Sequence, residues 1–228
     1  MGGGNVEIIH PKIKPKDVLD KYGFPLVGKQ QSRFIYQARN TKSKKLKETR
    51  LNGVKCGNAI YGKISNKWKY LVYETYETSE RCCDELKKKP VVKYGKENGL
   101  YPIFGTMAEE SLIRKRSFLR RSACNIFNGK NISSMPMGIW LEKDIWECIN
   151  KYNIDISDIY KYGATRTGCM FCGYGCQYKN DNRLQLVYDL YPKWYNHFMN
   201  YTNNGVTYRE ALRKVLKVNG LYLPDEKP

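Results

Sequence analysis

Apolar residues recur along the chain at helical spacing in some segments and form short unbroken runs in others. The helical spacing predicts a first helix that ends before Gly23, because glycine commonly follows the last helical residue. Short apolar runs bounded by proline or glycine predict buried strands. The predicted helices span Pro15–Tyr22, Gln30–Asn40, Glu109–Arg121, Glu142–Tyr152, Asn182–Asn200 and Thr207–Val218, and the predicted strands span Asn5–His10, Tyr101–Gly105 and Met137–Trp140.

Short strands that alternate with helices predict an α/β fold with a mostly parallel sheet. Leu51–Thr78 carries only patches of alternation and is predicted to be loop and irregular strand, and Gly163–Gly175 is a loop rich in glycine and cysteine. We find no internal repeat and no long linker. The sequence therefore predicts one domain over residues 1–228, with a core at about 5–178 and C-terminal helices at about 180–220.

The composition excludes two classes of protein. Hydrophobic residues make up 41% of the 228 residues, which is enough to build a core and excludes a disordered chain. No apolar run reaches the length of a membrane span. The first 16 residues contain no secretory h-region. The sequence therefore predicts a cytoplasmic protein without a membrane anchor.

Basic residues outnumber acidic ones by 40 to 22, which gives a formal net charge of +18. Many of them lie in runs, at residues 42–50, 87–89 and 114–121. Such runs are commonly solvated faces, but a strongly basic surface also attracts nucleic acid or a small polyanion such as a phosphorylated nucleotide. The charge alone leaves these three interpretations open.

Four of the eight cysteines form two close pairs. Cys169 and Cys172 form a C-x2-C pair in a glycine-flanked loop, a spacing that lets two thiolates reach one centre. The adjacent Cys82 and Cys83 suit a single zinc ion poorly because their side chains tend to diverge, whereas a cubane offers each thiolate a separate iron. The two pairs predict a [4Fe–4S] cluster, and zinc or free, redox-active thiols are the alternatives. A disulfide framework is typical of small secreted chains instead.

These cysteine pairs and their surroundings resemble the iron–sulfur motif of sulfonucleotide reductases, the phosphoadenosine phosphosulfate (PAPS) reductase family. The resemblance covers roughly Ile9–Tyr195 in order. It is carried by Lys12–Arg33, by Cys82–Pro90 (Cys-Cys-x-x-Leu-Lys), by Ile103–Arg114 (Gly-x-x-Ala-Glu-Glu-Ser-x-x-Arg), by Trp140–Trp146 (Trp-x-x-x-Asp-x-Trp), by Gly163–Cys172 (Gly-x-x-Arg-x-Gly-Cys-x-x-Cys) and by Asn182–Pro192.

The resemblance implies the adenine-nucleotide alpha-hydrolase-like fold, here a truncated, doubly wound and mostly parallel sheet with a helical C-terminal part. It also implies an adenine sulfonucleotide or an ATP-like ligand. By resemblance, Glu110 and Arg114 contact the bound nucleotide or its sulfate, although a structural ion pair between them explains the same spacing. Lys29 and Arg33, one helical turn apart, are expected to clamp a phosphate. Arg166 is expected to contact an anion or to offset the charge of the cluster.

Two features of the family are missing from the sequence. The glycine-rich Ser-Gly-Gly-Lys-Asp-Ser phosphate loop is absent, so we expect a partner chain to supply it. The Glu-Cys-Gly-x-His tail with its catalytic cysteine is absent as well, and no cysteine follows Cys176. Cys176 is therefore the candidate catalytic thiol, as a fifth sulfur near the cluster, with an ordinary loop residue as the alternative.

Three functions follow from these observations. The first is sulfur transfer or reduction on an adenylyl or phosphoadenylyl substrate by an iron–sulfur protein that forms an oligomer. The second is a subunit that modifies nucleic acid with sulfur, which the net charge and the missing tail favour. The third is a non-catalytic relative that binds protein or nucleic acid through its basic faces.

Overall fold

The computed structural model describes residues 6–129 and 131–226. Ten helices alternate with eight short strands over these residues. In chain order they are α1 (Pro15–Tyr22), β1 (Leu26–Val27), α2 (Lys29–Asn40), α3 (Lys44–Asn52), β2 (Val54–Cys56), β3 (Ala59–Tyr61), α4 (Arg81–Cys83), α5 (Lys89–Glu97), α6 (Leu112–Arg121), β4 (Asn125–Ile126), β5 (Ser133–Ser134), α7 (Glu142–Tyr152), β6 (Gly173–Tyr174), α8 (Arg183–Leu190), α9 (Pro192–Met199), β7 (Thr202–Asn203), β8 (Val206–Thr207) and α10 (Tyr208–Lys217). A π-helical turn, Asp84–Lys88, joins α4 to α5, and 3-10 turns span Asn66–Val72, Asp158–Tyr162 and Pro224–Glu226.

The chain forms two compact units. The first unit contains the described residues up to Pro90 together with those from Ile159 onward, and the second contains Val91–Asp158. The first unit carries the main hydrophobic core, which includes Leu19, Phe24 and Ile35. No helix of the described residues has the length and apolar character that a membrane crossing requires.

A parallel strand pair lies at the centre of the first unit. β1 pairs with β6, so that Leu26 lies opposite Gly173 and Val27 opposite Tyr174. A parallel bridge between Phe24 and Thr78 adds a third segment beside β1. Both residues of β1 are buried, and helices pack around them. The predicted α/β class is confirmed, and the other three sheets are two-stranded antiparallel pairs.

The C-terminal helices show why this sequence folds locally as it does. Thr207 caps α10, since its hydroxyl accepts a hydrogen bond from the Glu210 amide while the Glu210 carboxylate accepts one from the Thr207 amide. One face of α10 is buried, including Leu212 and Val215. Pro192 occupies the first turn of α9, where its missing amide hydrogen costs nothing. The predicted C-terminal helices are therefore confirmed, with Pro192 starting a new one.

Three predicted strands are wrong. Residues 6–10 have no regular structure, and Asn5 lies outside the described residues. Tyr101–Gly105 is exposed rather than buried, with one bridge from Ile103 to Ser134 and with Ile103 itself 73% exposed. Met137–Trp140 consists largely of turns. A short apolar run becomes a buried strand only if another part of the chain pairs with it and covers it. These three runs do not form strands of a ladder.

The basic stretch after α2 forms a helix that apolar spacing did not predict. α3 has no buried residue, so its sequence shows no apolar stripe. Its signals were local: the Ser43 hydroxyl accepts a hydrogen bond from the Leu46 amide at 3.2 Å, and Gly53 ends the helix at a positive φ of 84°. Helix-favouring Lys, Leu and Glu residues fill the interval.

The C-terminal turn is held to the last two helices by ion pairs. Tyr195 donates a hydrogen bond to Asp225 at 2.7 Å, and Arg209 pairs with the same carboxylate. Arg213 pairs with Glu226. Burial acts to raise the pKa of Asp225, but the hydrogen bonds from Arg209 and Tyr195 outweigh it and lower that pKa. The hydrogen bond from Arg213 lowers the pKa of Glu226.

We expect these carboxylates to make the free energy of unfolding of the first unit decrease at acidic pH. Their pKa values are lower in the folded chain than in the unfolded one, so their contribution is complete above about pH 4 and is lost as the pH falls through the folded values. The Tm difference between the wild type and Asp225→Asn should therefore shrink from pH 7 to pH 3. Asp20→Asn, at an exposed aspartate, is the control and should show a small and constant difference.

Candidate cysteine centre

The fold brings together the two cysteine pairs that are far apart in the sequence. Cys82 interacts electrostatically with Cys83, Cys169 and Cys172, and Cys83 also interacts with Cys172. Cys82 is buried, and the other three are partly buried. Cys176 lies against this group, since its thiol donates a hydrogen bond to the Cys172 carbonyl at 3.5 Å.

The parallel strand segments position both pairs. Thr78, bridged to Phe24, leads directly into α4, which carries Cys82 and Cys83. Cys172 immediately precedes β6, the strand that pairs with β1. Its amide donates to the Cys169 carbonyl at 2.9 Å, so the C-x2-C loop forms a tight turn. Each cysteine pair is thus attached to one neighbour of β1.

Glycine at position 173 is required for this strand pairing. A Cβ atom there would lie 2.6 Å from the Pro25 carbonyl oxygen and 2.6 Å from the Tyr208 hydroxyl. The Tyr208 hydroxyl is itself fixed, because it donates to the Phe171 carbonyl at 2.8 Å. Only a residue without a side chain lets β6 approach β1 closely enough to carry Cys172 to the centre.

The adjacent cysteines differ in protonation. The hydrogen bond between their side chains, together with burial, raises the pKa of Cys82. The same hydrogen bond, assisted by the positive charges of Lys29 and Lys87, lowers the pKa of Cys83. The Cys83 thiol therefore loses its proton more readily than the Cys82 thiol. Burial raises the pKa of Cys172.

Positive side chains surround the cysteines from separate elements. Lys29 is the first residue of α2, which follows β1 directly, and Lys87 lies in the π-helical turn after Cys83. Arg183, the first residue of α8, acts on both Cys172 and Cys176. These cations favour thiolates, so the site suits a centre with negative charge.

Arg166 is linked to Arg183 through a shared carboxylate and acts electrostatically on Cys176. The Asp181 carboxylate accepts hydrogen bonds from Arg166 at 3.1 Å and from Arg183 at 2.7 Å, and so joins the two guanidinium groups. Gly175, at a positive φ of 86°, gives them room, because a Cβ there would lie 3.0 Å from Arg166. Arg166 keeps 60% of its side chain exposed and is available to an anion as well.

Cys176 is the most deeply placed of the candidate residues. It is 5% exposed, and burial raises its pKa to about 12. Cys176 is therefore a neutral thiol in this arrangement. Gln177 beside it donates to the Val27 carbonyl at 2.7 Å, while its own side-chain oxygen is buried without a partner among the described residues.

Arg33 forms an ion pair with Glu80, which is close to the cysteines in the sequence. Its Nε donates to Glu80 at 2.9 Å, and Glu80 lies two residues before Cys82. The second carboxylate oxygen of Glu80 is buried without a partner among the described residues. Arg33 is about half exposed, so one face of its guanidinium holds Glu80 while the rest faces solvent. That Arg33 binds a phosphate together with Lys29 stays a prediction.

Glu110 and Arg114 lie in the second unit. They form an ion pair at the start of α6, and the Glu110 carboxylate also accepts a hydrogen bond from the Met107 amide at 2.8 Å. Ser111 caps this helix through the Arg114 amide at 3.2 Å. The structural pairing is therefore present, while the contact with nucleotide or sulfate stays a prediction.

A site for a single metal ion requires several donor side chains that converge on one point. Within residues 6–129 and 131–226, no three His, Cys, Asp or Glu side chains stand in the geometry of a single ion site. Ligands of one zinc lie about 2.3 Å from it and must crowd together. The ligands of a cubane bind separate irons and stand farther apart. Cysteine sulfur is the donor that such a cluster requires, and the assignment of a cluster to these four cysteines stays a prediction.

The comparisons with known proteins provide independent information. The family model of the phosphoadenosine phosphosulfate reductase domain matches residues 30–174, more than half of the chain. The chain belongs to this family. Neither the comparison with curated proteins nor that with solved structures found a match. The PAPS reductase match includes both cysteine pairs, and membership indicates a nucleotide substrate and sulfur-related oxidoreductase chemistry at the general level.

Sequence reasoning missed several residues of this PAPS reductase site. Asp181 and Glu80 belong to no motif quoted for the resemblance, and Arg183 lies in the segment Asn182–Pro192 but was given no role. The structure places Arg183 near Cys172, Asp181 against Arg183 and Glu80 against Arg33. Lys87 was visible as part of a basic run but without a role. The signal for Asp181 was its position two residues before Arg183, the first residue of α8, because an aspartate there accepts a hydrogen bond from a backbone amide at the helix start.

Proposed function

We propose that the chain is a PAPS-reductase-like iron–sulfur protein that acts in sulfur transfer or reduction on an adenylyl or phosphoadenylyl substrate. Cys82, Cys83, Cys169 and Cys172 would hold a [4Fe–4S] cluster. The observation that supports this most is that two cysteine pairs distant in the sequence interact with each other next to segments that pair with Phe24 and β1. Such a cluster supplies electron storage and a fixed negative charge beside the substrate.

The residues of the chain would bind and orient the substrate anion. Lys29 lies at the start of α2, where the amide groups of the first turn also favour negative charge. Arg33 and Arg166 each use one part of the guanidinium for a carboxylate and keep the rest exposed. We assign these three cations to the sulfate and phosphate groups of the substrate.

Reduction of the sulfonucleotide requires two electrons, which we assign to an external dithiol. One thiolate attacks the sulfate sulfur, the bond from that sulfur to the bridging oxygen breaks, and the nucleotide leaves with this oxygen. The second thiol attacks the sulfur of the first thiol, which now carries the SO3 group. The bond between these two sulfur atoms breaks, sulfite leaves with the electron pair, and a disulfide remains. Cys176 is the candidate of this chain for the first attack, and its buried thiol must lose a proton beforehand.

Anaerobic purification tests the cluster directly. We expect a brown protein with about four irons and four acid-labile sulfides per chain. A colourless protein with stoichiometric zinc would overturn the cluster assignment.

Sulfite release tests the reaction separately. The assay uses PAPS and its analogue without the 3′-phosphate, a dithiol, and the chain alone or with a partner chain that carries a Ser-Gly-Gly-Lys-Asp-Ser loop. No sulfite in either case excludes the reductase function. Cys176→Ser should abolish sulfite release and preserve the iron content if Cys176 attacks the sulfate, and full activity of this variant would assign the attack to the external dithiol.

A further inference from the structure

The segment from Lys42 to Lys63 is strongly and uniformly basic. It contains one acidic residue, Glu48, in 22 positions. Its basic residues are Lys42, Lys44, Lys45, Lys47, Arg50, Lys55 and Lys63. The motifs of the family resemblance do not include this segment. Its charge therefore needs an explanation outside the cysteine centre.

Two exposed elements carry this charge. α3 has no buried residue, and every residue of the β2–β3 hairpin except the partly buried Ala59 is exposed. Lys44, Lys45 and Lys47 are exposed on the helix, and Lys55 is exposed on the hairpin. None of these four lysines forms an ion pair with another described residue. Positive charges without counter-charges repel one another, so they suit a polyanionic partner.

Arg50 joins the helix and the hairpin into one fixed surface. Its guanidinium donates to the Gln37 side chain of α2 at 2.7 Å and to the Gly62 carbonyl at 2.9 Å, and it lies over the Phe34 ring at 4.1 Å. The Ile64 amide donates to the Arg50 carbonyl at 2.7 Å. Arg50 therefore connects α3 to α2 and to the end of the hairpin, and the lysines lie on elements that these contacts hold together.

The hairpin adds exposed apolar side chains to the lysines. Tyr61 is 60% exposed, and Val54 and Ile60 are about half exposed. Val54 and Tyr61 lie directly opposite each other in the hairpin. An exposed aromatic ring among lysines is the combination that lets a protein stack on a base while its cations contact phosphates.

We propose that α3 and the β2–β3 hairpin form a nucleic-acid-binding surface that contacts the phosphate backbone. The lysines of α3 and Lys55 would contact phosphates, and Tyr61 would stack on an accessible base. This inference does not depend on the cluster or on sulfite release, because no cysteine of the proposed centre lies in the segment. The cysteine variants and the lysine variants therefore test separate statements.

The experiment measures binding of the full chain to duplex DNA, single-stranded DNA and structured RNA of equal length between 50 and 200 mM salt. We expect binding at low salt to at least one of them, and that one identifies the source of the phosphate backbone. Lys44→Gln/Lys45→Gln/Lys47→Gln should weaken it by about tenfold or more and reduce the slope of log K against log salt by about three.

A matched triple variant separates this surface from net charge. Lys12→Gln/Lys14→Gln/Lys16→Gln removes the same charge from exposed lysines before and within α1 and should leave the slope nearly unchanged. Equal weakening by both triples, or no binding at 50 mM salt, would overturn the proposal. Tyr61→Ala should weaken single-strand binding by several-fold with little change in the salt slope. Circular dichroism of each variant verifies that it is folded.

Discussion

Cys83→Ser is expected to purify anaerobically without the broad visible absorption of the wild type and with most of its iron lost. The surroundings of Cys83 lower the pKa of its thiol, and a serine hydroxyl in its place cannot supply a thiolate or a soft sulfur donor. The substitution is nearly isosteric at a partly buried position, so the fold should be retained. Iron, acid-labile sulfide and the absorption spectrum are measured on the same sample.

A variant in the second cysteine pair and a control variant at a cysteine outside the proposed centre complete this experiment. Cys172→Ser should lose the same absorption, because the proposed centre draws on both pairs. Cys56→Ser is the control, since Cys56 is exposed at the end of β2 and should keep the full iron content. If Cys83→Ser or Cys172→Ser retains the iron and sulfide of the wild type, the four-cysteine assignment is wrong.

Gly173→Ala is expected to destabilise the first unit strongly. The new Cβ would overlap the Pro25 carbonyl oxygen and the Tyr208 hydroxyl, both at 2.6 Å. Neither atom can move easily, because one belongs to the backbone and the other is buried and hydrogen-bonded. We expect the free energy of unfolding to fall by about 3 kcal/mol, the upper part of the range for overpacking.

The same variant should also lose iron, because β6 carries Cys172 into place beside β1. Gly28→Ala is the matched control, at the residue that follows β1. Its Cβ meets nothing within 4 Å and its φ of −168° is extended backbone, so we expect a loss of about 1 kcal/mol or less. Equal destabilisation by the two substitutions, measured by denaturant unfolding, would contradict the close pairing of β6 and β1.

Helices that carry their own start and stop signals could be predicted to the residue. α1 and α7 have the predicted bounds, Pro15–Tyr22 and Glu142–Tyr152. Proline opens the first helix and Gly23 closes it at a positive φ of 83°. Asp144 accepts a hydrogen bond from the Leu141 amide at the start of the second. Capping depends on residues three or four positions apart, so the sequence contains all the information it needs.

The strands could not be predicted in this way. The observed β1 and β6 have two residues each, and glycine occupies half of β6. Their pairing depends on a partner 147 positions away in the chain and on the space that Gly173 leaves. The exposed run at Tyr101–Gly105 had the stronger apolar pattern but no strand to cover it. Apolar character shows that a segment can be buried, and only tertiary contacts decide whether it is.

The sequence by itself determined the chemistry of the candidate site, namely two cysteine pairs, their spacing and the family to which they belong. The tertiary structure alone decided that the pairs meet, that Lys87 and Arg183 face them, and that Asp181 joins Arg166 to Arg183. The reason is physical. The sulfur donor of a cysteine is a property of that one residue. The pKa of its thiol depends on burial and on the charges that distant segments bring within a few ångströms.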